Sequence, residues 1–322
     1  MDSKQWFRQA QFGMMVHWGL YCLPAGEWKG KRMPYIGEWA QAYFRIPNAE
    51  YHALANAFNP ILFDADEWIR LAADAGMKYI VVTAKHHEGF AMFHSRVSKF
   101  NVVDATPFGR DVIYELANAC ARHGVRLGLY YSQDLDWSEP NGGGYTAGRT
   151  WCGGAGVWTN DWDFPDNAHK DYAQCFESKI KPQVTELLTG YGDLCLIWFD
   201  TPRTISAAQS QELVDLVHRH QPNCLINSRV GNGLGDYSST GDNEIPADYK
   251  QALYEAPCTL NDTWGYKAFD DNWKSPERVL ELKAHLNERG INYLLNVGPD
   301  YLGRIPAPAC DILREVGRRL GA

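Results

Sequence analysis

Leu196-Ile197-Trp198-Phe199-Asp200 is an apolar run that ends on a carboxylate. A buried strand of this kind delivers an acid to the edge of a sheet, here beside the Trp198 ring. Aspartate in that place also commonly caps the next helix, so the residue alone supports both readings. The adjacent rings favour chemistry, because a carboxylate among aromatic faces can meet a sugar ring and attack its anomeric carbon. Such a displacement needs a second carboxyl, still protonated, about 5–5.5 Å away. Three candidates follow along the chain: Asp242 and Glu244 in Gly241–Pro246, and Glu255 in Leu253-Tyr254-Glu255-Ala256. Burial and a negative neighbour would raise the pKa of whichever one approaches Asp200. Spacing leaves that choice open.

Lys85-His86-His87-Glu88-Gly89-Phe90 follows another apolar run. Side chains alternate along a strand, so two adjacent histidines reach one site only where the chain turns. With Asp200 they could hold a metal, as strand-end His and Asp do in some barrel hydrolases. As neutral imidazoles they could instead bind hydroxyls. No H-E-x-x-H is present to favour the metal. His17-Trp18-Gly19 extends the same polar rim. Trp39, Trp137, Trp151, Trp158, Trp162, Trp264 and Trp273 lie in Gly-, Asn- and Asp-rich sequence. Each alone reads as packing under a loop, but together they suggest a wall of stacking surfaces.

The elements that must position these groups alternate. Apolar runs at Phe12–His17, Tyr79–Ala84, Val125–Ser132, Leu194–Asp200, Cys224–Asn227 and Tyr293–Val297 read as strands buried on both faces. Helical patterns lie between them: one opens at Asp64-Ala65-Asp66-Glu67 and closes at Gly76. Others span Arg110–His123, Asp171–Leu188, Ala207–His220 and Ser275–Glu288. This alternation predicts βαβ units and a parallel sheet. No G-x-G-x-x-G or G-x-x-x-x-G-K-[ST] follows the first strand, and polar residues gather at strand C-termini, as in a (β/α)8 barrel. Six legible strands instead of eight predict an irregular one. Ser138–Asn167 is long for a loop, and loops of that size are usually functional or disordered. No linker divides residues 1–322, which read as a single barrel domain.

Of 322 residues, 45% are hydrophobic and 22% charged, enough apolar surface to exclude dominant disorder. The net charge of −8 argues against a nucleic-acid partner. No run approaches the roughly 20 apolar residues of a membrane span, and Met1–Trp6 shows no secretory pattern. The eight cysteines form no C-x-x-C, so buried thiols in a reducing cytoplasm are expected.

Six motifs occur in one order: Phe12–Gly19, Lys85–Phe90, Gly128-Leu129-Tyr130-Tyr131-Ser132, Trp198-Phe199-Asp200, Asn227-Ser228-Arg229 and Leu294–Pro299. In them the chain resembles, over nearly its whole length, the family 29 glycoside hydrolases, the α-L-fucosidases. The resemblance implies a retaining, exo-acting hydrolase of terminal fucose on an irregular (β/α)8-like (TIM-type) barrel, with no cofactor and no metal. It matches Asp200 to the nucleophile; His17, His86, His87, Tyr131 and Arg229 to fucose-contacting positions; and Trp39 to an aromatic over the sugar. Trp198 is expected against the fucose methyl, with Glu255 and Trp264 completing the substrate-binding set.

Two departures from the family pattern matter. The chain stops at Gly321-Ala322, without the C-terminal β-sandwich of many members, which would leave barrel surface for a homo-oligomer. The usual acid/base position falls near Ala247. Gly241–Pro246, Leu253-Tyr254-Glu255 and Asn261-Asp262-Thr263-Trp264-Gly265 look instead like the compact bacterial α-1,6-fucosidases, which act on fucose 6-linked to N-acetylglucosamine. That likeness ranks Asp242 first as acid/base, Glu255 second and Glu244 third. A metal-dependent barrel hydrolase using His86, His87 and Asp200, and a catalytically silent fucose-binding protein, are the alternative readings.

Overall fold

The structure is a computed structural model that describes residues 2–245 and 253–322; Pro246 and Ala247 lie outside the described residues. Eight parallel strands curl into one sheet: β1 (Phe12–Val16), β2 (Tyr79–Lys85), β3 (Arg126–Tyr131), β4 (Leu196–Phe199), β5 (Leu225–Ile226), β6 (Ser238–Ser239), β7 (Tyr254–Thr259) and β8 (Ile291–Val297). Each pairs with its sequence neighbour, and β1 pairs with β8. The β5 and β6 ends of the sheet meet at an isolated parallel bridge, Asn227–Tyr237, where the Asp236 and Tyr237 N–H groups both donate to the Ile226 carbonyl. This is the (β/α)8-type barrel that the strand–helix alternation predicts.

The irregularity is local. Helices 65–74, 112–123, 207–220 and 276–287 connect strands, and helix 307–320 follows β8. Between β3 and β4 the helical stretch runs from Tyr172 to Gly190 with a π-turn at Phe176–Ile180. Between β5 and β6 there is only the short 3₁₀ turn Ser228–Val230. Two strands escape the sequence pattern: Ser238–Ser239 is too short to show periodicity, and Tyr254–Thr259 carries Glu255 and Pro257 among its apolar residues.

Alternation sorts the apolar strand side chains between two cores. Met14, Val16, Ile80, Val82, Leu127, Leu129, Tyr131, Ile197 and Phe199 face the helices. Met15, Tyr79, Val81, Tyr130, Leu196, Trp198 and Leu294 fill the barrel interior. The N-terminal helix Ser3–Ala10, which the sequence pattern had not shown, adds Phe7 and Ala10 to that interior, with Phe7 packed on Tyr237 at 4.5 Å.

Gly13 of β1 makes room inside the barrel. A Cβ there would lie 2.5–2.7 Å from Tyr79 ring atoms. The space lets the Tyr79 hydroxyl donate to Glu255 Oε2 at 2.6 Å. Gly13→Val should therefore destabilise the fold by about 1–3 kcal/mol through overpacking, read as a lower denaturant midpoint.

Candidate active site

Inward-facing residues at the strand C-termini meet in a cavity of about 340 Å³. The parity that points Leu196 and Trp198 inward carries Asp200 to the rim. Its carboxylate accepts from the Tyr130 hydroxyl at 2.8 Å on Oδ2, and from Arg229 Nη1 and Thr201 N–H, both at 2.9 Å, on Oδ1. Behind it, the Gln133 amide accepts from Asp200 N–H and donates to the Arg229 carbonyl, while Asn227 pairs with both backbone groups of Phe199. Thr201 leaves the strand at φ 48°, outside the usual range for a β-branched residue, so the turn that aims Asp200 is held by its surroundings.

Arg229 is the second anchor. Nη2 donates to Asp242 Oδ1 at 2.6 Å and to the Thr240 carbonyl at 2.9 Å, so one guanidinium joins the two acids. It lies 4.6 Å over the Trp198 ring, which stacks on Tyr130 with centroids 5.6 Å apart. Asp242 and Glu244 both line the cavity, with Asp242 half-exposed. Glu244 accepts from Gly241 N–H at 3.1 Å.

Both His86 and His87 enter the cavity. The register of β2 against β3 shifts between Thr83 and Lys85, and the bulge re-aims the chain. Lys85 turns out to Asp136 at 2.8 Å, where buried Lys179 joins at 3.0 Å. His87 Nδ1 lies 2.7 Å from Ser132 Oγ, whose own proton goes to the Leu135 carbonyl. Nδ1 therefore carries the ring proton, and bare Nε2 sits 3.8 Å from Asp200 Oδ2. Two acceptors at that distance invite a hydroxyl donor between them. His17 Nδ1 is likewise tied to Asn296 Oδ1 at 2.7 Å, and Asn296 Nδ2 donates to the Trp264 carbonyl. Burial pushes His17 and His86 down to about 3 and His87 well below the ordinary imidazole range. All three rings are neutral near pH 7.

Trp39 meets His87 edge-on at 5.2 Å, and Trp264 packs on His17 at 5.2 Å. Both line the cavity, as do Trp198, His17, His86, His87, Arg229, Asp200, Asp242 and Glu244. Two expected site residues do not. Tyr131 faces the helix layer, its hydroxyl donating to Gln183 at 2.8 Å, and the inward neighbour Tyr130 takes the place beside Asp200. Glu255 is fully buried below the cavity, accepting from Tyr79 and from Trp198 Nε1 at 2.8 Å, with its pKa pushed up to about 7 by burial. It supports the floor and does not contact the cavity.

Glu38 is the residue that sequence reasoning missed, although it adjoins Trp39. It lines the cavity, and Oε2 accepts from Gly265 N–H at 2.8 Å. Burial pushes its pKa up to about 8, making it a protonated carboxyl in the site. Among the described residues, no group of three or more His, Cys, Asp or Glu is placed to hold a metal ion, so His86, His87 and Asp200 do not form one. A larger groove of about 700 Å³ lies outside the barrel against helices 65–74 and 307–320, and it holds none of these residues. No described helix is long and apolar enough to cross a membrane.

A carboxylate at a barrel strand end, among neutral imidazoles and indoles, defines a carbohydrate-hydrolase site. Sequence comparison agrees: a family model described as alpha-L-fucosidase matches residues 1–322, and the chain belongs to that family. It is 31% identical to the tissue alpha-L-fucosidase of Rattus norvegicus, over 99% of this chain and 69% of the rat protein. With a putative alpha-L-fucosidase of Caenorhabditis elegans the identity is 28%, over 97% and 64%. The chain thus spans about two-thirds of these relatives. Among solved structures, alpha-L-fucosidase AlfC from Lactobacillus casei in complex with alpha-L-fucose product superposes with a TM-score of 0.95 at 54% identity, over 99% of this chain and 98% of that one. A mutant AlfC in complex with Fuca(1,6)GlcNAc gives 0.93 at 52%, over 98% of each chain.

The Glu38 proton links stability to pH. The folded carboxyl keeps its proton up to about 8, against an ordinary value of 4.5. Its contribution to stability is complete below the ordinary value and is lost as pH rises through about 8. Glu38→Gln stays neutral and retains an acceptor for Gly265. Its unfolding midpoint, measured against the parent, should gain between about pH 5 and about pH 8.

Proposed function

We propose that this chain is a retaining exo-α-L-fucosidase acting on fucose α-1,6-linked to N-acetylglucosamine, with residues 1–322 forming a single catalytic domain. The observation that carries this reading is the Arg229 guanidinium joining Asp200 and Asp242 on the cavity wall. Asp200 attacks the anomeric carbon while Asp242 protonates the leaving glycosidic oxygen. Water activated by the same Asp242 then releases fucose with its configuration retained. Half-exposed Asp242 leaves Arg229, takes up a proton from solvent and presents it to the oxygen of the leaving group. Bare Nε2 atoms of His17 and His87 accept sugar hydroxyl protons, and protonated Glu38 donates, which orients the ring for attack.

Trp198, its ring already covered by Tyr130 and Arg229, offers an apolar edge to the fucose methyl, a contact that supplies only about 1–3 kcal/mol of selection over galactose. The hydroxyl contacts therefore carry most of the discrimination. The linkage reading is supported by the likeness to AlfC, whose mutant was captured with Fuca(1,6)GlcNAc. Eight free cysteines, seven of them buried, fit a reducing cytoplasmic compartment.

The roles separate kinetically. Asp200→Ala should abolish hydrolysis of an aryl fucoside, and azide should return only the inverted fucosyl azide. Asp242→Ala should lose about 10²–10⁴-fold on a poor leaving group and much less on an activated aryl one. Azide should accelerate that variant and yield the retained azide. In a panel of 2-, 3-, 4- and 6-linked disaccharides the 6-linked N-acetylglucosaminide should be cleaved fastest. Azide rescue at Glu244 instead of Asp242 would reassign the acid/base, and a preference for another linkage would overturn the substrate.

A further inference from the structure

Of the five tryptophans that line the cavity, four are buried: Trp39, Trp158, Trp198 and Trp264 are 2–6% exposed. Trp151 is 62% exposed. It is the one indole of the five with most of its surface open to a ligand.

Its position is built. Gly153 and Gly154, with φ of 59° and 85°, lay the chain directly on the Trp39 and Tyr35 rings, where a Cβ at either glycine would collide. Tyr35 backs Trp151 at 5.5 Å. Thr150 accepts from Trp158 Nε1 at 2.9 Å and Ala155 N–H donates to the Cys152 carbonyl at 3.0 Å, closing the turn on either side. The turn thus rests on Trp39, a wall of the inner cavity, and presents Trp151 at its outer lip.

We infer that Trp151 is the stacking platform for the departing sugar. The inference rests on the fucosidase reading and names the residue that selects the leaving group. The sugar it fits is a pyranose with equatorial substituents, such as N-acetylglucosamine, because that ring offers axial C–H bonds to an aromatic face. An axial hydroxyl would put a polar group against the indole.

α-L-Fucosyl fluoride and the 6-linked N-acetylglucosaminide separate the two parts of the site, because the fluoride has no sugar to stack. Trp151→Ala should lower kcat/KM on the disaccharide about tenfold, the value of one good aromatic contact. It should leave turnover of the fluoride unchanged. Trp151→Phe should restore most of the loss. A Trp151→Ala variant that cleaves the disaccharide normally, or loses both substrates equally, would overturn the platform. A parent enzyme inert toward the fluoride would remove the fucosidase reading itself.

Discussion

The carboxylate of Asp200 is the constraint around which the site is organised. It sits at the mouth of an apolar barrel, where an ionised acid is stable only with partners. Tyr130, Thr201 N–H and Arg229 supply them, and each is fixed in turn. Tyr130 stacks on Trp198, Trp198 is held by Glu255, and Glu255 is held by Tyr79 in space left by Gly13. A chain of buried hydrogen bonds and one ring stack therefore runs from the middle of the barrel to the Asp200 carboxylate. Networks of this kind position well because every member is satisfied.

Charge is concentrated where it acts. The three histidines are neutral because burial disfavours their cations, and Glu38 keeps its proton for the same reason. The imidazoles and Glu38 thus offer neutral donors and acceptors to a neutral sugar. The other large buried charge, the Lys85–Asp136–Lys179 cluster, lies behind the histidines and braces the bulge that turns them inward.

Much of this was legible in the sequence. Apolar runs ending in polar groups located six strands, and Asp200, Arg229 and the three histidines all reach the cavity from strand ends. Ser238–Ser239 was invisible because two residues carry no period, and the N-terminal helix because its apolar stripe is only Trp6, Phe7 and Ala10. Tyr131 was placed by motif and not by parity. The same alternation that brings in Trp198 and Asp200 brings in Gly128 and Tyr130, and counting by two would have separated the tyrosines.

By itself, the amino-acid order determined the barrel class, the family and the strand end that carries Asp200, because strand burial and alternation are local consequences of residue type. Only the tertiary structure decided which acids meet. Asp242 and Glu255 lie 13 residues apart, yet one sits on the cavity wall and the other beneath its floor. Chain separation says nothing of which face of a strand or which side of a loop a carboxylate occupies. Glu38 was hidden for the same reason, and Trp151 could not be singled out from the other loop tryptophans: their roles come from Gly265 and Tyr35, partners brought up by folding, and burial or exposure belongs to the assembled site.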